Sequence, residues 1–302
     1  MIVVCGEALI DMIRNADGTS RAAPGGGPFN TARALARLGV PTAFLGRLSN
    51  DEFGRELAGL LAADGASLEL VSIGSERTTV AVADVDGDGL AEYQFLVEST
   101  SAPNLTPEML PPHLGSDVRA LHLGTLGMVL EPIASTLVDL VHREREGRVV
   151  MLDPNIRLGL APDSEYRDRL LDVVSQSTIV KASDADLAWL YPGLTYERAA
   201  DRLVGEGVRL AIVTLGAEGA FGAHGDFRVD VDAVRVEVVD TIGAGDAFGA
   251  ALLAWLHDHD ALRPDVELRR DDLTAALAYA CRAAAITCSR AGADPPWKWE
   301  MM

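Results

Sequence analysis

The chain has 302 residues, 26 basic side chains against 45 acidic ones, and a formal net charge of −19. That length allows one large domain or two small ones and buries roughly 75% of the unfolded surface without staples. At 48% hydrophobic and 24% charged residues, the composition excludes collagen-like and broadly disordered chains. The acidic balance argues against a nucleic-acid partner, because neutralising phosphates takes a basic face.

Strand-like and helix-like segments alternate. Ile2 to Cys5 is a short apolar strand, and Asn30 to Leu38 a helix that stops at Gly39. Thr42 to Leu45 is strand-like, and Glu52 to Asp64 is an amphipathic helix ending at Gly65. Thr78 to Val85, the turn Asp86-Gly87-Asp88-Gly89 and Leu90 to Val97 read as an inserted β-hairpin. Ala120 to Leu123, Val149 to Leu152 and Leu210 to Leu215 are buried strands, with a helix at Glu131 to Glu146. Val234 to Val239 alternates as a β-pattern and leads into an apolar helix, Ala247 to Leu256. Such alternation predicts an α/β fold, a parallel sheet covered by helices. The polar, non-helical stretch Met12 to Pro24 and the hairpin form a small second layer, either a surface hairpin or a lid.

The cysteines Cys5, Cys281 and Cys288 form no CxxC pair and are odd in number. No disulfide framework follows, so a reducing compartment and three buried small residues are expected. The start MIVVCGEALID lacks the features of a signal peptide, and Ala247 to Leu256 is too short to span a bilayer. A cytoplasmic, soluble protein is expected.

The sharpest motif is Asp240-Thr241-Ile242-Gly243-Ala244-Gly245-Asp246-Ala247-Phe248-Gly249. Small residues at a helix start leave the amides of Gly243, Ala244 and Gly245 accessible, and the helix dipole adds to them to make an anion site. A carboxylate beside a static phosphate is repulsive. Asp246 makes sense there if it takes a proton from an attacking hydroxyl while the amides hold a transferring phosphoryl group. The plainer reading is an acid favoured at a helix N-terminus. A dinucleotide fingerprint fits poorly, since the motif lies late in the chain and no acidic strand end follows at the required spacing.

A second cluster, Gly25-Gly26-Gly27-Pro28-Phe29-Asn30, also precedes a helix. It lacks the Gly-Lys-Ser/Thr of a P-loop, and Asn30 either caps the helix or binds a ligand hydroxyl. Gly6-Glu7-Ala8-Leu9-Ile10-Asp11 puts two carboxylates at the end of the first strand, where ligands of open α/β sheets bind.

Together these pieces resemble the PfkB carbohydrate kinases, also called the ribokinase family. GGGPFN with Gly39, Gly46, Asp51 and Gly54 is similar to the family's N-terminal signature, and DTIGAGDAF to its C-terminal one. GEALID, Asp153-Pro154-Asn155-Ile156-Arg157, Ser183-Asp184-Ala185-Asp186-Leu187 and Thr287 to Ala293 resemble the fructokinase and ketodeoxygluconate kinase branch. The resemblance implies one ribokinase-like domain over 1–302. It would be a three-layer αβα sandwich with a mostly parallel central sheet and a small β lid from insertions at about 12–24 and 77–98.

It also implies roles. Asp246 would be the catalytic base, and Gly243, Ala244 and Gly245 the anion hole. Asp11, Gly26, Gly27 and Asn30 would hold the sugar, with Tyr93, Phe95 and Arg157 touching it. Lys181, Ser183, Thr214, Gly216 and Gly219 would line the nucleotide site. ATP would be co-substrate with Mg²⁺, which Asp186 would organise through water, and K⁺ is a candidate monovalent cation. Relatives form a homodimer through the lid. Ser183 and Asp186 depart from the family's Asn-x-x-Glu motif. Glu92 to Glu98 offers no basic residue for a sugar acid, which favours a neutral sugar, fructose first. The alternatives are a ketodeoxygluconate kinase, a nucleoside kinase of the same fold, and a non-catalytic sugar or nucleotide sensor.

Overall fold

The computed structural model describes the backbone at 1–14, 19–85 and 91–302, with the side chains at 84, 85 and 91–93 left out of the description. Among these residues the chain runs β1 (Ile2–Cys5), β2 (Leu9–Arg14), β3 (Ser20–Gly25), α1 (Gly27–Arg37), β4 (Thr42–Ser49), α2 (Glu52–Asp64), β5 (Val71–Gly74), β6 (Val80–Val85) and β7 (Ala91–Leu96). It continues through β8 (Ala120–Gly124), α3 (Ile133–Glu144), β9 (Val149–Asp153), α4 (Asp163–Gln176), β10 (Ile179–Ser183), α5 (Asp184–Leu190) and α6 (Tyr196–Gly205). The last elements are β11 (Leu210–Thr214), β12 (Ala220–His224), β13 (Phe227–Val231), α7 (Ala244–Asp258) and α8 (Arg270–Cys288).

The main sheet has the order β13-β12-β11-β10-β9-β8-β1-β4-β5 and is parallel from β11 to β5. Its inner strands are buried on both faces, as crossover helices require, while the edge strands β5 and β13 are partly exposed. In β1, Ile2 and Val4 join the core built with α1, α2, α7 and α8, whereas Val3 and Cys5 join the core built with α3 to α6. The result is three layers. Because the strands are parallel, Cys5, Gly124, Asp153, Ser183 and Thr214 end at the same edge, where the loops carry the chemistry.

The expected second layer is a four-stranded sheet, β3-β2-β6-β7, with β2 and β6 parallel and the outer pairs antiparallel. The predicted turn Asp86 to Gly89 lies outside the described residues.

Three expectations are corrected. First, Val234 to Val239 is not a strand. The β13 ladder ends at Val231, and the segment beyond it is irregular. It keeps an alternation in which Val234, Val236 and Val238 wall a cavity. Second, α1 starts at Gly27, so Asn30 lies inside the helix and does not cap it. Gly26, at φ +106°, is the cap, and Pro28 suits the first turn. Third, α7 starts at Ala244, three residues before the predicted start. No helix among the described residues is long and apolar enough to cross a membrane.

Candidate active site

Two cavities open at the carboxyl edge of the parallel strands. The first, about 920 Å³, takes Asp11, Gly26, Gly27 and Asn30 on one wall. Phe95 and Gln94 of the small sheet, Arg157, Lys181, Gly243, Gly245 and Asp246 complete it. The second, about 590 Å³, is apolar, with Val234, Val236, Val238, Phe248, Ala284 and Ala285 beside Thr214, Gly216, Gly219 and Ala244. Thr241 and Gly245 line both, so the two cavities meet at the turn that opens α7.

That turn depends on Gly243. Its φ is +77°, and a Cβ there would lie 2.6 Å from the Ala293 Cβ, so both conformation and space exclude a side chain. The first amides of α7 have no partner within the helix, although the Ala244 amide turns back to the Thr241 carbonyl at 3.3 Å. Lys181 adds a full positive charge. Its Nζ stands 3.1 Å from where a Gly245 Cβ would be and 2.6 Å from Asp153 Oδ2. Burial works against this ammonium, but Asp153, helped by Asp246 and Asp186, holds its pKa above the ordinary lysine value. The helix dipole and the first amides of α7 favour an anion at this turn, beside an ammonium that Asp153 pairs.

Asp246 lies in the first turn of α7, and its Oδ2 accepts from Asn30 Nδ2 at 2.9 Å. Burial pushes its carboxyl up to about 6, with Asp153 adding to the rise, while the Asn30 bond, Lys181 and Arg157 oppose it. Burial likewise raises Asp11 to about 6 against the pull of Arg157. Close approach sets this geometry. A Cβ on Gly27 would stand 2.5 Å from Thr125 Oγ1 and 3.4 Å from Asp246 Oδ1, so the start of α1 reaches both only as glycine.

Ser183 and Asp186 line neither cavity. They form the capping box of α5, and Asp186 Oδ1 also accepts the Ile156 amide at 2.9 Å. They therefore fix the loop that carries Arg157, whose Nη1 donates to the Asn155 and Ile156 carbonyls. Lys181 lines the first cavity and not the apolar one. The Tyr93 side chain lies outside the described residues. Cys288 is half-buried, not buried as expected, and with Cys281 it lines the second cavity.

Sequence reasoning did not commit to Glu7, Thr125, Asn155 or the valines of the second cavity. Thr125 and Asn155 hold positive φ (53° and 39°) and are joined by Asn155 Nδ2 donating to Thr125 Oγ1 at 3.3 Å. An Asn after Pro154 hints at such a conformation; Thr125 carries no such signal.

The pfkB family carbohydrate kinase model matches residues 1–300. A fructokinase of Rhizobium leguminosarum bv. trifolii is 40% identical over 261 residues, covering 85% of this chain and 79% of that protein. The solved fructokinase of Xylella fastidiosa with bound ATP superposes with a TM-score of 0.91 at 27% identity, covering 99% of this chain and 96% of that one. The Vibrio cholerae O395 fructokinase, solved with fructose, ADP and a calcium ion, gives 0.84 at 27% identity, over 97% and 94% of the two chains. An acidic residue placed where two cavities meet, in a chain matched along almost its whole length, leaves one conclusion: this protein belongs to the pfkB family of carbohydrate kinases.

Proposed function

We propose that the chain transfers the γ-phosphoryl group of ATP to a hydroxymethyl oxygen of fructose, with the polar cavity holding the sugar and the apolar one the nucleotide. The observation that carries this reading is the junction at Thr241 and Gly245, with a buried carboxylate on the polar side. Asp11, Asn30 and the Gly26 and Gly27 backbone would hold the sugar hydroxyls, with Phe95, Tyr93 and Arg157 closing around them. Asp246 would orient and deprotonate the acceptor. The amides of Gly243 to Gly245 and the Lys181 ammonium would take up charge on the transferring group. Thr214, Gly216 and Gly219 would border the nucleotide.

Mg²⁺ fits as an ion that arrives with ATP. Among the described residues no cluster of three His, Cys, Asp or Glu side chains makes a metal cage, and Mg²⁺ bound through phosphates and water needs none. Its chemistry there is to neutralise charge on the phosphate oxygens. Asp186 uses Oδ2 on Ser183 and one lone pair of Oδ1 on Ile156, which leaves a position for a water and none that is bare. K⁺ activation rests on the resemblance, and replacing K⁺ by Na⁺ in the assay tests it.

The rest of the reading is architectural. The residues 1–302 act as one kinase unit, and the β3-β2-β6-β7 sheet is a lid that excludes water from the transfer. A homodimer through that sheet rests on the resemblance. ATP as co-substrate and three free cysteines support a cytoplasmic setting.

The test is ADP release from Mg·ATP against fructose, tagatose, ribose, ketodeoxygluconate and adenosine. Fructose is expected to give the highest kcat/KM. The sugar acid is the serious competitor, because Arg157 lines the sugar cavity; its preferred turnover would overturn the neutral-sugar reading. Adenosine turnover would make the chain a nucleoside kinase, and binding of sugar and ATP without turnover would make it a sensor.

The pH dependence is signed. The base must be ionised, so kcat/KM for the sugar is expected to fall as pH drops through about 6, the value of Asp246 and Asp11. A profile flat down to the ordinary carboxylate range would contradict the assignment.

A further inference from the structure

One buried carboxyl of the sugar cavity has no part in the transfer as described so far. Glu7 follows β1, is 1% exposed and lines the cavity. Its Oε1 accepts the Gly27 amide at 3.3 Å, and its Oε2 accepts the Gly127 amide at 3.1 Å. Gly27 opens α1, the helix that brings Asn30 to Asp246, and Gly127 lies in the 3-10 turn Thr125–Met128 after β8. One side chain thus ties the first strand to two segments that border the acceptor position.

We propose that Glu7 is a positioning residue for phosphoryl transfer, a buried carboxyl that accepts the Gly27 and Gly127 amides and so sets, through α1 and Asn30, the aim of Asp246. It rests on the kinase reading above. The geometry asks for a short polar strut at this point. Gly27 has no room for a side chain of its own, and an apolar residue at position 7 would leave two buried amides without acceptors. Burial also controls when this carboxyl is charged. Burial pushes the Glu7 carboxyl up to about 8, with Asp246 adding to the rise, against its backbone hydrogen bonds and Arg157. The titratable and charged groups that face it are Asp246 on α7, Arg157 after β9 and the Tyr166 phenol on α4. Ionised Glu7 would place a second negative charge beside Asp246 and the incoming phosphoryl group, which disfavours transfer.

The experiment compares wild type, Glu7→Gln and Glu7→Asp. Glu7→Gln loses one acceptor of the clamp, and kcat is expected to fall about 10- to 100-fold with the KM for ATP unchanged. The wild-type kcat should also fall as pH rises through about 8. Glu7→Gln should lack this alkaline limb, and Glu7→Asp, slower but still an acid, should keep one. A second readout needs no substrate. The folded-state pKa lies above the unfolded one, so stability from this group is present at low pH and lost as pH rises. The Tm of wild type relative to Glu7→Gln should therefore fall from about 4.5 upward and level off above about 8. A flat Tm difference, an alkaline limb shared by Glu7→Gln, or an unchanged kcat would overturn the Glu7 proposal while leaving the kinase reading intact. Wild type that turns over no sugar would remove the kinase reading, and this proposal with it.

Discussion

Replacing Asp246 with Asn is expected to lower kcat by about 10²- to 10⁴-fold, the usual cost of losing a general base. The affinity for ATP should change little, because the apolar cavity does not include this side chain. The substitution is nearly isosteric, and the new amide can still offer its oxygen to Asn30 Nδ2, which now bonds Oδ2 at 2.9 Å. The fold and the start of α1 should therefore survive, and the loss should appear in kcat. Steady-state kinetics with fructose and Mg·ATP, alongside a thermal melt, separate the two. Full turnover in a folded Asp246→Asn protein would remove the base from the mechanism.

Lys181→Met should produce the largest loss of stability among single changes at the site. The ion pair Lys181–Asp153 is 2.6 Å long, and its side chains are 6% and 5% exposed. Removing one partner strands a buried charge and costs about 3–5 kcal/mol. For a chain of this size that corresponds to a fall in Tm of roughly 10 °C. Activity should fall as well, because the ammonium faces the turn of Gly245. The double variant Lys181→Met, Asp153→Asn distinguishes the two effects. It removes the stranded carboxylate, so much of the Tm should return, while turnover should stay low. A double variant that regains turnover would show that Lys181 serves the fold alone.

The alternation of elements and both glycine turns were legible because their causes are local. Two-sided burial makes a parallel strand such as Ile2–Cys5 continuously apolar, and Gly65 closes α2 with a left-handed cap. Contacts across the chain were not legible. Asn30 was read as either a helix cap or a ligand-binding side chain, and the sequence did not show its bond to Asp246, 216 residues away. Val234 to Val239 carried the period of a strand, yet among the described residues no neighbouring strand takes up its amides. The alternation instead turns three valines toward a cavity. Ser183 and Asp186 were given nucleotide and metal roles by the resemblance alone; the structure adds that the pair forms the capping box of α5, which the sequence reading did not note. Glu7 was visible as an acid at a strand end, but its burial and its two amide partners belong to the tertiary structure.

The central claim is that Asp246 deprotonates a sugar hydroxyl held beside ATP, so that the γ-phosphoryl group passes directly from ATP to that oxygen. The most direct test follows γ-labelled ATP with fructose, wild type and Asp246→Asn side by side, and identifies the labelled product. The account predicts label on a hydroxymethyl oxygen of fructose in wild type and almost none in Asp246→Asn. Label released only as inorganic phosphate, or an equal yield of labelled sugar from both proteins, would contradict it.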